Sequence, residues 1–252
     1  MMVYPFCYVC PRDWKMFEML VRSLEKTGRS CKWTAYHDRR EPLTEIQLDF
    51  CERLDVRVVQ RPDDFYPWCG WKHAMSKLYG WTEMASHYGM SDDDHILYCD
   101  SDTMFFSDEI LAQFEGYDFI GFPHSDTKYV EQLRREWSWL SGCFQAARVG
   151  MVRKLAQFTA TQLYDASQEM LANNFSHNED VVMSYLFAKC GAKENRLKNN
   201  HWMEMEPEKA LRREKSPASF VHLNGNWKYF LGEPVEDKWD IPRVIDMKGL
   251  MP

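Results

Sequence analysis

The sequence predicts an α/β fold in which helices cover a mainly parallel sheet. Along residues 3–59, short runs rich in aromatic and β-branched residues alternate with stretches whose apolar residues recur at helical spacing. This alternation of strand and helix is typical of parallel sheets packed between helices. A further short apolar run, His95–Cys99, is typical of a buried strand and ends abruptly in acidic residues.

The first half of the chain contains clear boundary signals. Asp13 is a candidate N-cap for the first helix and Gly28 ends it, while Thr44 with Gln47 forms a capping-box pattern that begins the second helix. The predicted elements, in order, are strand Val3–Cys10, a helix from Asp13, strand Lys32–His37, a helix carrying Ile46, Phe50, Cys51 and Leu54 on its apolar side, strand Val56–Val59, helix Trp68–Tyr88 and strand His95–Cys99.

The second half is expected to continue with strands and helices. The predicted elements are strand Tyr117–Phe122, a strand around Cys143–Ala147, one long helix from about Gly150 to Leu171, a helix beginning at Asn178 and strand Phe220–Leu223. The charged and polar stretch Lys189–Lys215 is expected to form a loop.

Composition excludes several classes of protein. The 252 residues carry a formal net charge of −7 and are 45% hydrophobic, which argues against a general binder of nucleic acid or anionic membranes and against long disorder. No stretch approaches the roughly 20 apolar residues of a membrane span, so we expect a soluble cytoplasmic protein. The eight cysteines include a single Cys-x-x-Cys, at Cys7 and Cys10, so reduced thiols are expected rather than a zinc site.

The candidate site begins at Tyr98-Cys-Asp100-Ser101-Asp102-Thr103. Two carboxylates at the carboxyl end of a buried strand project into the crevice where open α/β sheets bind ligands, and they can hold a hard cation together with diphosphate oxygens. A solvated loop with two surface acids is the competing interpretation. A phosphatase of the haloacid dehalogenase type is disfavoured, because Met104 stands where its Thr or Val belongs and at least three strands precede the motif.

A second group of residues follows the last predicted strand. His222 at the strand end can add a nitrogen ligand, Gly225 permits close approach of the backbone, and Lys228 offers a positive charge for phosphate. Taken alone, a strand histidine is more often a core or surface residue. Two carboxylates with one imidazole suit Mn²⁺, or less well Mg²⁺.

These motifs resemble those of the nucleotide-sugar glycosyltransferases of the GT-A fold, most nearly the glycogenin and lipopolysaccharide-galactosyltransferase group. In that group an Asp-x-Asp strand end and a later His-x-x-Gly-x-x-Lys supply the metal ligands and diphosphate contacts, and both patterns stand here in the same order. The resemblance spans about residues 3–230 and implies a GT-A (Rossmann-like) mixed, mainly parallel sheet. Ser141 stands where the family has Asn, and Tyr229-Phe230 replace its Pro-Trp.

The resemblance also implies roles for individual residues. Asp38 would contact the nucleotide base, and Lys77 would face the sugar of the nucleotide sugar. Glu179 or Asp180 would act as a general base or steady the developing positive charge, although acids in a first helical turn also stabilise a helix without any catalytic role. The remaining implied substrate-binding residues are Ser101, Asp126, Ser141, Gly142, Gly225 and Lys228.

The sequence therefore predicts a metal-dependent glycosyltransferase that uses a nucleotide-diphosphate sugar. The resemblance suggests UDP and retention at the anomeric carbon, but an inverting enzyme needs only one base such as Asp180, so both outcomes stay open. A single GT-A domain is expected over 1–252, with a nucleotide-binding half at about 1–105, an acceptor half at about 106–235 and a tail at 236–252.

Two other functions stay open. A sugar-phosphate nucleotidyltransferase would use a similar sheet, although the Cys10–Asp13 loop lacks the glycines that cradle a triphosphate. A non-catalytic nucleotide-sugar-binding module would keep the same fold. The acceptor is equally open among a glycan, a lipid-linked glycan, a protein and a modified DNA base, and the sequence does not indicate the oligomeric state.

Overall fold

The computed structural model describes most of the chain through Leu197 and two short segments beyond it. The described residues are 1–29, 31–61, 70–87, 89–105, 107–123, 140–173, 175, 179–197, 202–204 and 220–222. No helix within these ranges is both long and apolar enough to cross a membrane.

Strands and helices alternate as the sequence predicts. The strands are β1 Val3–Val9, β2 Thr34–Asp38, β3 Arg57–Arg61, β4 His95–Cys99, β5 Thr103–Phe105, β6 Phe119–Pro123, β7 Leu140–Arg148, β8 Glu194–Arg196, β9 Trp202–Glu204 and β10 Phe220–His222. The helices are α1 Trp14–Lys26, α2 Glu45–Arg53, α3 Gly70–His87, α4 Val149–Leu155, α5 Ala160–Ala172 and α6 Glu179–Lys189, with short 3₁₀ turns at Pro11–Asp13 and Glu109–Phe114.

The main sheet is mixed and mostly parallel. Its strand order is β3-β2-β1-β4-β7-β6-β8, and β7 is antiparallel to both β4 and β6, whereas the other neighbouring strands pair in parallel. A smaller sheet has the order β5-β10-β9. Because parallel strands share one direction, the carboxyl ends of β1, β2, β3 and β4 lie at the same edge, where open α/β sheets bind ligands.

Helices cover both faces of the main sheet. On one face, α1 and α2 pack with Cys7, Leu97 and Phe144 in one buried cluster. On the other face, α3 to α6 pack with Phe6 and Tyr98 in a second cluster. The predicted α/β fold with helices on both faces is therefore confirmed.

Most predicted boundaries agree with the structure. The capping box of Thr44 and Gln47 begins α2, and Gly28 after α1 has φ = +82°, a conformation that glycine adopts at little cost. Asp13 precedes α1 as expected, although its side chain makes no capping hydrogen bond. The predicted start of α3 at Trp68 and the helix start at Asn178 fall outside the described residues.

Some predictions were wrong. The long helix expected over Gly150–Leu171 is two helices, α4 and α5, because Thr159 forms a capping box with Gln162 and begins a new helix. Ile46, predicted on the apolar side of α2, is 78% exposed. The Lys189–Lys215 stretch, predicted as a loop, contains the short strands β8 and β9. The seven described cysteines carry free thiols, as expected.

Candidate functional site

Two aspartates and a histidine meet at the carboxyl end of β4. Asp100 and Asp102 follow that strand directly, and β5 then pairs in antiparallel fashion with β10, which places Thr103 opposite His222. His222 Nε2 lies 3.4 Å from Asp102 Oδ1 and 3.9 Å from Asp100 Oδ2. One ligand atom from each of the three residues falls within 4.8 Å of the others, so these side chains form an acidic cluster suited to a divalent cation. We call this group the metal cluster.

Asp100 is held from three directions. The Tyr98 hydroxyl donates to Asp100 Oδ1 at 2.5 Å, and the Thr103 hydroxyl donates to the Asp100 carbonyl at 2.6 Å. The Asp100 N–H donates to the carbonyl of Cys143 on the neighbouring strand β7 at 3.0 Å. These contacts fix both the backbone and the carboxylate of Asp100.

Partial removal from water raises the pKa of Asp100 to about 6. The positive charge of Lys77 opposes this rise, the nearby Asp102 carboxylate adds to it, and His222 opposes it. The Asp100 carboxyl therefore takes up a proton in mildly acidic solution when no cation is present.

His222 also holds a proton more tightly than usual, and this proton makes it positively charged. Burial favours its neutral form, but the neighbouring Cys143 sulfur and the Asp102 carboxylate outweigh burial and raise the pKa of His222 well above its ordinary value. Binding of a cation at His222 Nε2 therefore has to displace a proton.

A second group of predicted residues surrounds Lys77 on α3. The Lys77 side chain is fully buried, and its Nζ donates to the Gly142 carbonyl at 2.9 Å. The same Nζ lies 3.9 Å from the centre of the Tyr98 ring and 3.9 Å from Glu179 Oε1. Because Tyr98 also bonds Asp100, Lys77 lies between the metal cluster and the start of α6.

Gly142 packs tightly against three other residues of this second group. A Cβ added at Gly142 would lie 2.9 Å from Glu179 Oε1, 3.1 Å from Asp180 Cβ and 3.1 Å from Lys77 Nζ. Asp180 is buried, and its Oδ1 accepts from the Val181 N–H at 2.9 Å. The structure thus brings together four of the predicted residues: Lys77, Gly142, Glu179 and Asp180.

The other predicted residues lie apart from these two groups or outside the described part of the chain. Asp38 ends β2, two strands from β4 in the sheet, and accepts from the Arg40 N–H at 2.8 Å and Arg40 Nε at 3.0 Å. These bonds lower the pKa of Asp38. Ser101 lies between the two aspartates, and the Ser141 hydroxyl lies 3.3 Å from Cys143 Sγ. Asp126, Gly225 and Lys228 fall outside the described residues.

Sequence reasoning did not assign a role to several residues around the site. Tyr98, Thr103 and Cys143 contact Asp100 of the metal cluster, the first two from neighbouring positions in the chain and Cys143 from the adjacent strand β7. The Tyr98 and Thr103 contacts had a weak local signal, since both residues flank the Asp-x-Asp motif. The position of Cys143 depends on which strand lies beside β4, for which the sequence carries no local signal.

Comparison with known families identifies the family to which the chain belongs. The model of DUF5672, described as a protein of unknown function, matches residues 72–220, which is more than half of the chain. The chain belongs to the DUF5672 family. The matched part contains Lys77, both aspartates of the metal cluster and α6, whereas His222 follows it by two positions. No curated protein matches this DUF5672 chain.

Solved structures resemble this DUF5672 chain closely in fold and only distantly in sequence. The galactosyltransferase LgtC, in complex with donor and acceptor sugar analogs, has a TM-score of 0.61 at 9% identity, over 89% of this chain and 87% of its own. Mouse xyloside xylosyltransferase 1 has a TM-score of 0.57 at 8% identity, over 94% of this chain and 100% of its own. The bifunctional glycosyltransferase WbbM has a TM-score of 0.54 at 9% identity, over 89% of this chain and 46% of its own. The DUF5672 chain therefore has a GT-A-like glycosyltransferase fold.

Proposed function

We propose that this DUF5672 protein is a metal-dependent glycosyltransferase that moves a sugar from a UDP-sugar to an acceptor hydroxyl. The observation that carries the proposal is the convergence of Asp100, Asp102 and His222 at the carboxyl end of β4. His222 is far from Asp100 and Asp102 in the sequence. The pairing of β5 with β10 brings these three residues together. The GT-A-like fold supports the same activity, since solved structures with a similar fold include sugar transferases.

The donor set of the metal cluster fits Mn²⁺, with Mg²⁺ second. Two carboxylate oxygens and one imidazole nitrogen suit a cation of intermediate hardness, whereas structural zinc sites favour thiolates and further imidazoles. When bound, such a cation neutralises the diphosphate charge that grows as the glycosidic bond breaks.

The group around Lys77 supports a sugar pocket beside the metal cluster. Lys77 and Glu179 place opposite charges 3.9 Å apart beside Gly142 on β7, and paired charges of this kind can hydrogen-bond sugar hydroxyls. We propose that Glu179 faces the reacting sugar or acceptor hydroxyl, and that Asp180, bound to the Val181 N–H, keeps the start of α6 in place. The remaining proposed substrate contacts are Asp38 to the base, Gly225 and Lys228 to the diphosphate, and Ser101, Asp126 and Ser141 to the sugar.

The organisation proposed for the chain is one domain over 1–252. Its nucleotide-binding half covers about 1–105, its acceptor half about 106–235, and a tail follows at 236–252. The acceptor half contains α6 and β7, which carry Glu179 and Gly142.

A panel of UDP-sugars tests the proposal. Purified protein is incubated with each UDP-sugar and Mn²⁺, and release of UDP is measured with water or pooled glycans as acceptor. We expect turnover with one donor and its loss, on the order of 100-fold or more, in Asp102→Ala. Asp93→Ala is the matched control, because Asp93 is an exposed acid paired with Arg148. Equal turnover in wild type and Asp102→Ala would reject the proposal.

Two further measurements separate the alternatives. Binding of a UDP-sugar in titration calorimetry without turnover under any metal supports a non-catalytic binding module. Release of pyrophosphate from a nucleoside triphosphate supports a nucleotidyltransferase.

Proton NMR of the glycosylated product gives the configuration at the anomeric carbon, for which we expect retention.

A further inference from the structure

The side chain of Tyr98 contacts two groups of the candidate site. Its hydroxyl donates a hydrogen bond to Asp100 Oδ1 at 2.5 Å. Its ring faces the ammonium of Lys77, whose Nζ lies 3.9 Å from the ring centre. Only 4% of Tyr98 is exposed, so both contacts form where water competes weakly. Tyrosine makes both contacts, whereas phenylalanine would keep only the second.

Aromatic packing fixes the Tyr98 ring. Tyr98 pairs with Phe6 of β1 on one side and with Gln145 of β7 on the other. Its ring packs edge-on against that of Phe6, with centres 5.2 Å apart, and is tilted against that of Tyr8, with centres 6.1 Å apart. Such packing holds the ring independently of the hydroxyl and of the cation on its face. The ring is therefore a rigid support for both.

The hydroxyl bond gives the two carboxylate oxygens of Asp100 different partners. Oδ1 accepts from Tyr98, whereas Oδ2 is the oxygen that lies 3.9 Å from His222 Nε2. Carboxylates that bind metals are normally oriented by a further hydrogen bond, and loss of that bond weakens metal affinity by about 10- to 100-fold. The Tyr98 hydroxyl thus leaves Oδ2 directed toward His222 in the metal cluster.

The ring contact holds the Lys77 ammonium from a second side. Its Nζ donates to the Gly142 carbonyl at 2.9 Å and lies 3.9 Å from Glu179 Oε1. The negative face of an aromatic ring attracts a cation, most strongly where water is excluded, and Lys77 is fully buried. The Tyr98 ring therefore helps to keep the ammonium beside Gly142 and Glu179, at the border of the proposed sugar pocket.

We propose that Tyr98 is a positioning residue shared by the metal cluster and the sugar pocket. Its hydroxyl orients the Asp100 carboxylate for a cation, and its ring orients the Lys77 ammonium for the sugar. This inference rests on the proposed function, because it takes Asp100 as a metal ligand and Lys77 as a sugar contact. It assigns Tyr98 no contact with the cation or the sugar.

Direct measurement of Mn²⁺ affinity tests the hydroxyl. Free Mn²⁺ is followed by electron paramagnetic resonance during titration of wild type and Tyr98→Phe. Phenylalanine keeps the ring and its packing on Phe6 but lacks the donor to Asp100, so we expect affinity to fall about 10-fold. Tyr36→Phe is the matched control, because it also removes a buried tyrosine hydroxyl that donates to a carboxylate, that of Glu83. The control should match wild type.

Fluorination tests the ring while keeping its packing. Trifluorophenylalanine in place of Tyr98 removes most of the negative charge on the ring face, which weakens its attraction for the ammonium. Titration calorimetry at saturating Mn²⁺ compares the affinities for UDP and for each UDP-sugar of the panel. We expect the preference for the best UDP-sugar over UDP to be kept in Tyr98→Phe and to fall about 3-fold or more with the fluorinated ring. The same replacement at Phe119, whose ring stacks on that of Phe187, should leave the preference unchanged.

The outcomes separate this role from the proposed function. Wild type that fails to bind Mn²⁺, or that prefers no UDP-sugar over UDP, contradicts the proposed function. Where wild type does both, unchanged Mn²⁺ affinity in Tyr98→Phe contradicts the role of the hydroxyl, and an unchanged sugar preference with the fluorinated ring contradicts the role of the ring. A merely structural Tyr98 would lower the thermal stability of these variants without changing either binding measurement, and that result would overturn the proposal.

Discussion

The side-chain ammonium of Lys77 donates a hydrogen bond to the backbone carbonyl of Gly142 across 2.9 Å. This bond joins the middle of α3 to the beginning of β7, and it forms in a fully buried place. The same ammonium lies over the Tyr98 ring. A buried charge is costly unless it is paired and hydrogen-bonded. The contacts with Gly142 and Tyr98 therefore stabilise the buried ammonium of Lys77, and Lys77 in turn supplies the hydrogen-bond donor for the Gly142 carbonyl.

Replacement of Lys77 by methionine tests this relationship. Lys77→Met keeps the side-chain length but leaves the Gly142 carbonyl without its donor, so we expect a loss of roughly 1–3 kcal/mol in the free energy of unfolding, measured by urea denaturation. The control is Lys154→Met, because the exposed Lys154 also donates to a backbone carbonyl, that of Cys190. We expect a change within about 0.5 kcal/mol there. Similar losses in both variants would contradict a special role for Lys77.

Gly142 should tolerate no side chain. In Gly142→Ala the new methyl group would lie 2.9 Å from Glu179 Oε1 and 3.1 Å from Lys77 Nζ, so one of these groups has to move. Overpacking of this kind costs about 1–3 kcal/mol, and we expect UDP-sugar turnover to fall more than stability does. Gly89→Ala is the control, because a Cβ at Gly89 meets nothing within 4 Å. Full turnover in Gly142→Ala would place the sugar elsewhere.

Binding of the cation should release protons. The pKa of Asp100 is raised to about 6 and that of His222 lies well above its ordinary value when no cation is bound, yet both must be deprotonated as ligands. Mn²⁺ affinity should therefore rise with pH between about 5 and 8. Calorimetry in buffers of different ionisation enthalpy measures the proton release, which should decrease in His222→Gln. Affinity independent of pH over this range would contradict the cluster as the binding site.

The contribution of Asp100 to the stability of the metal-free protein should fall as pH rises, whereas the affinity for Mn²⁺ should rise. Because the folded pKa of Asp100 is raised above its unfolded value near 4, the folded chain binds this proton more tightly than the unfolded chain does. The contribution of Asp100 to stability therefore decreases as pH rises from about 4 to 6. Urea denaturation of wild type and Asp100→Asn at pH 4 and pH 7 measures it. The variant should lose less stability over this interval than wild type does, and equal losses would argue against a raised pKa.

The two acids at the start of α6 should differ in their effects. Glu179→Gln keeps the shape of the side chain but removes the charge that faces Lys77, so we expect turnover to fall roughly 100-fold or more while stability changes little. In Asp180→Asn the amide oxygen can still accept from the Val181 N–H, and we expect a smaller loss of turnover. UDP-sugar turnover and thermal unfolding of both variants check this order. The reverse order would assign the chemistry to Asp180.

The sequence predicts the fold and the strand ends that carry Asp100, Asp102 and His222 well because these signals are local. Asp100 and Asp102 directly follow an apolar run, and His222 ends another, so a correct strand assignment already places them at sheet ends. The break between α4 and α5 also has a local signal, the Thr159–Gln162 capping box, which the apolar periodicity around it obscured. These features follow from neighbours within a few residues along the chain.

Other features depend on contacts between distant parts of the chain. The strands β5, β8 and β9 have three residues each, too few for apolar alternation to identify, and pairing with neighbours stabilises them. The contact of Cys143 with Asp100 exists because β7 lies beside β4 in antiparallel orientation. The order of strands in a sheet is a tertiary property, so the sequence could indicate Cys143 as a strand residue without indicating what it touches.

The pairing of β5 with β10 has a consequence for when the metal cluster can assemble during synthesis. A ribosome releases the chain from its N-terminus, so Asp100 and Asp102 emerge about 120 residues before His222, at a rate of roughly 5–20 residues per second. The main sheet can begin to assemble in this interval, whereas the third ligand is still untranslated. A nascent chain that already has the strands β1 to β4 therefore lacks the third residue of the metal cluster until His222 has been translated.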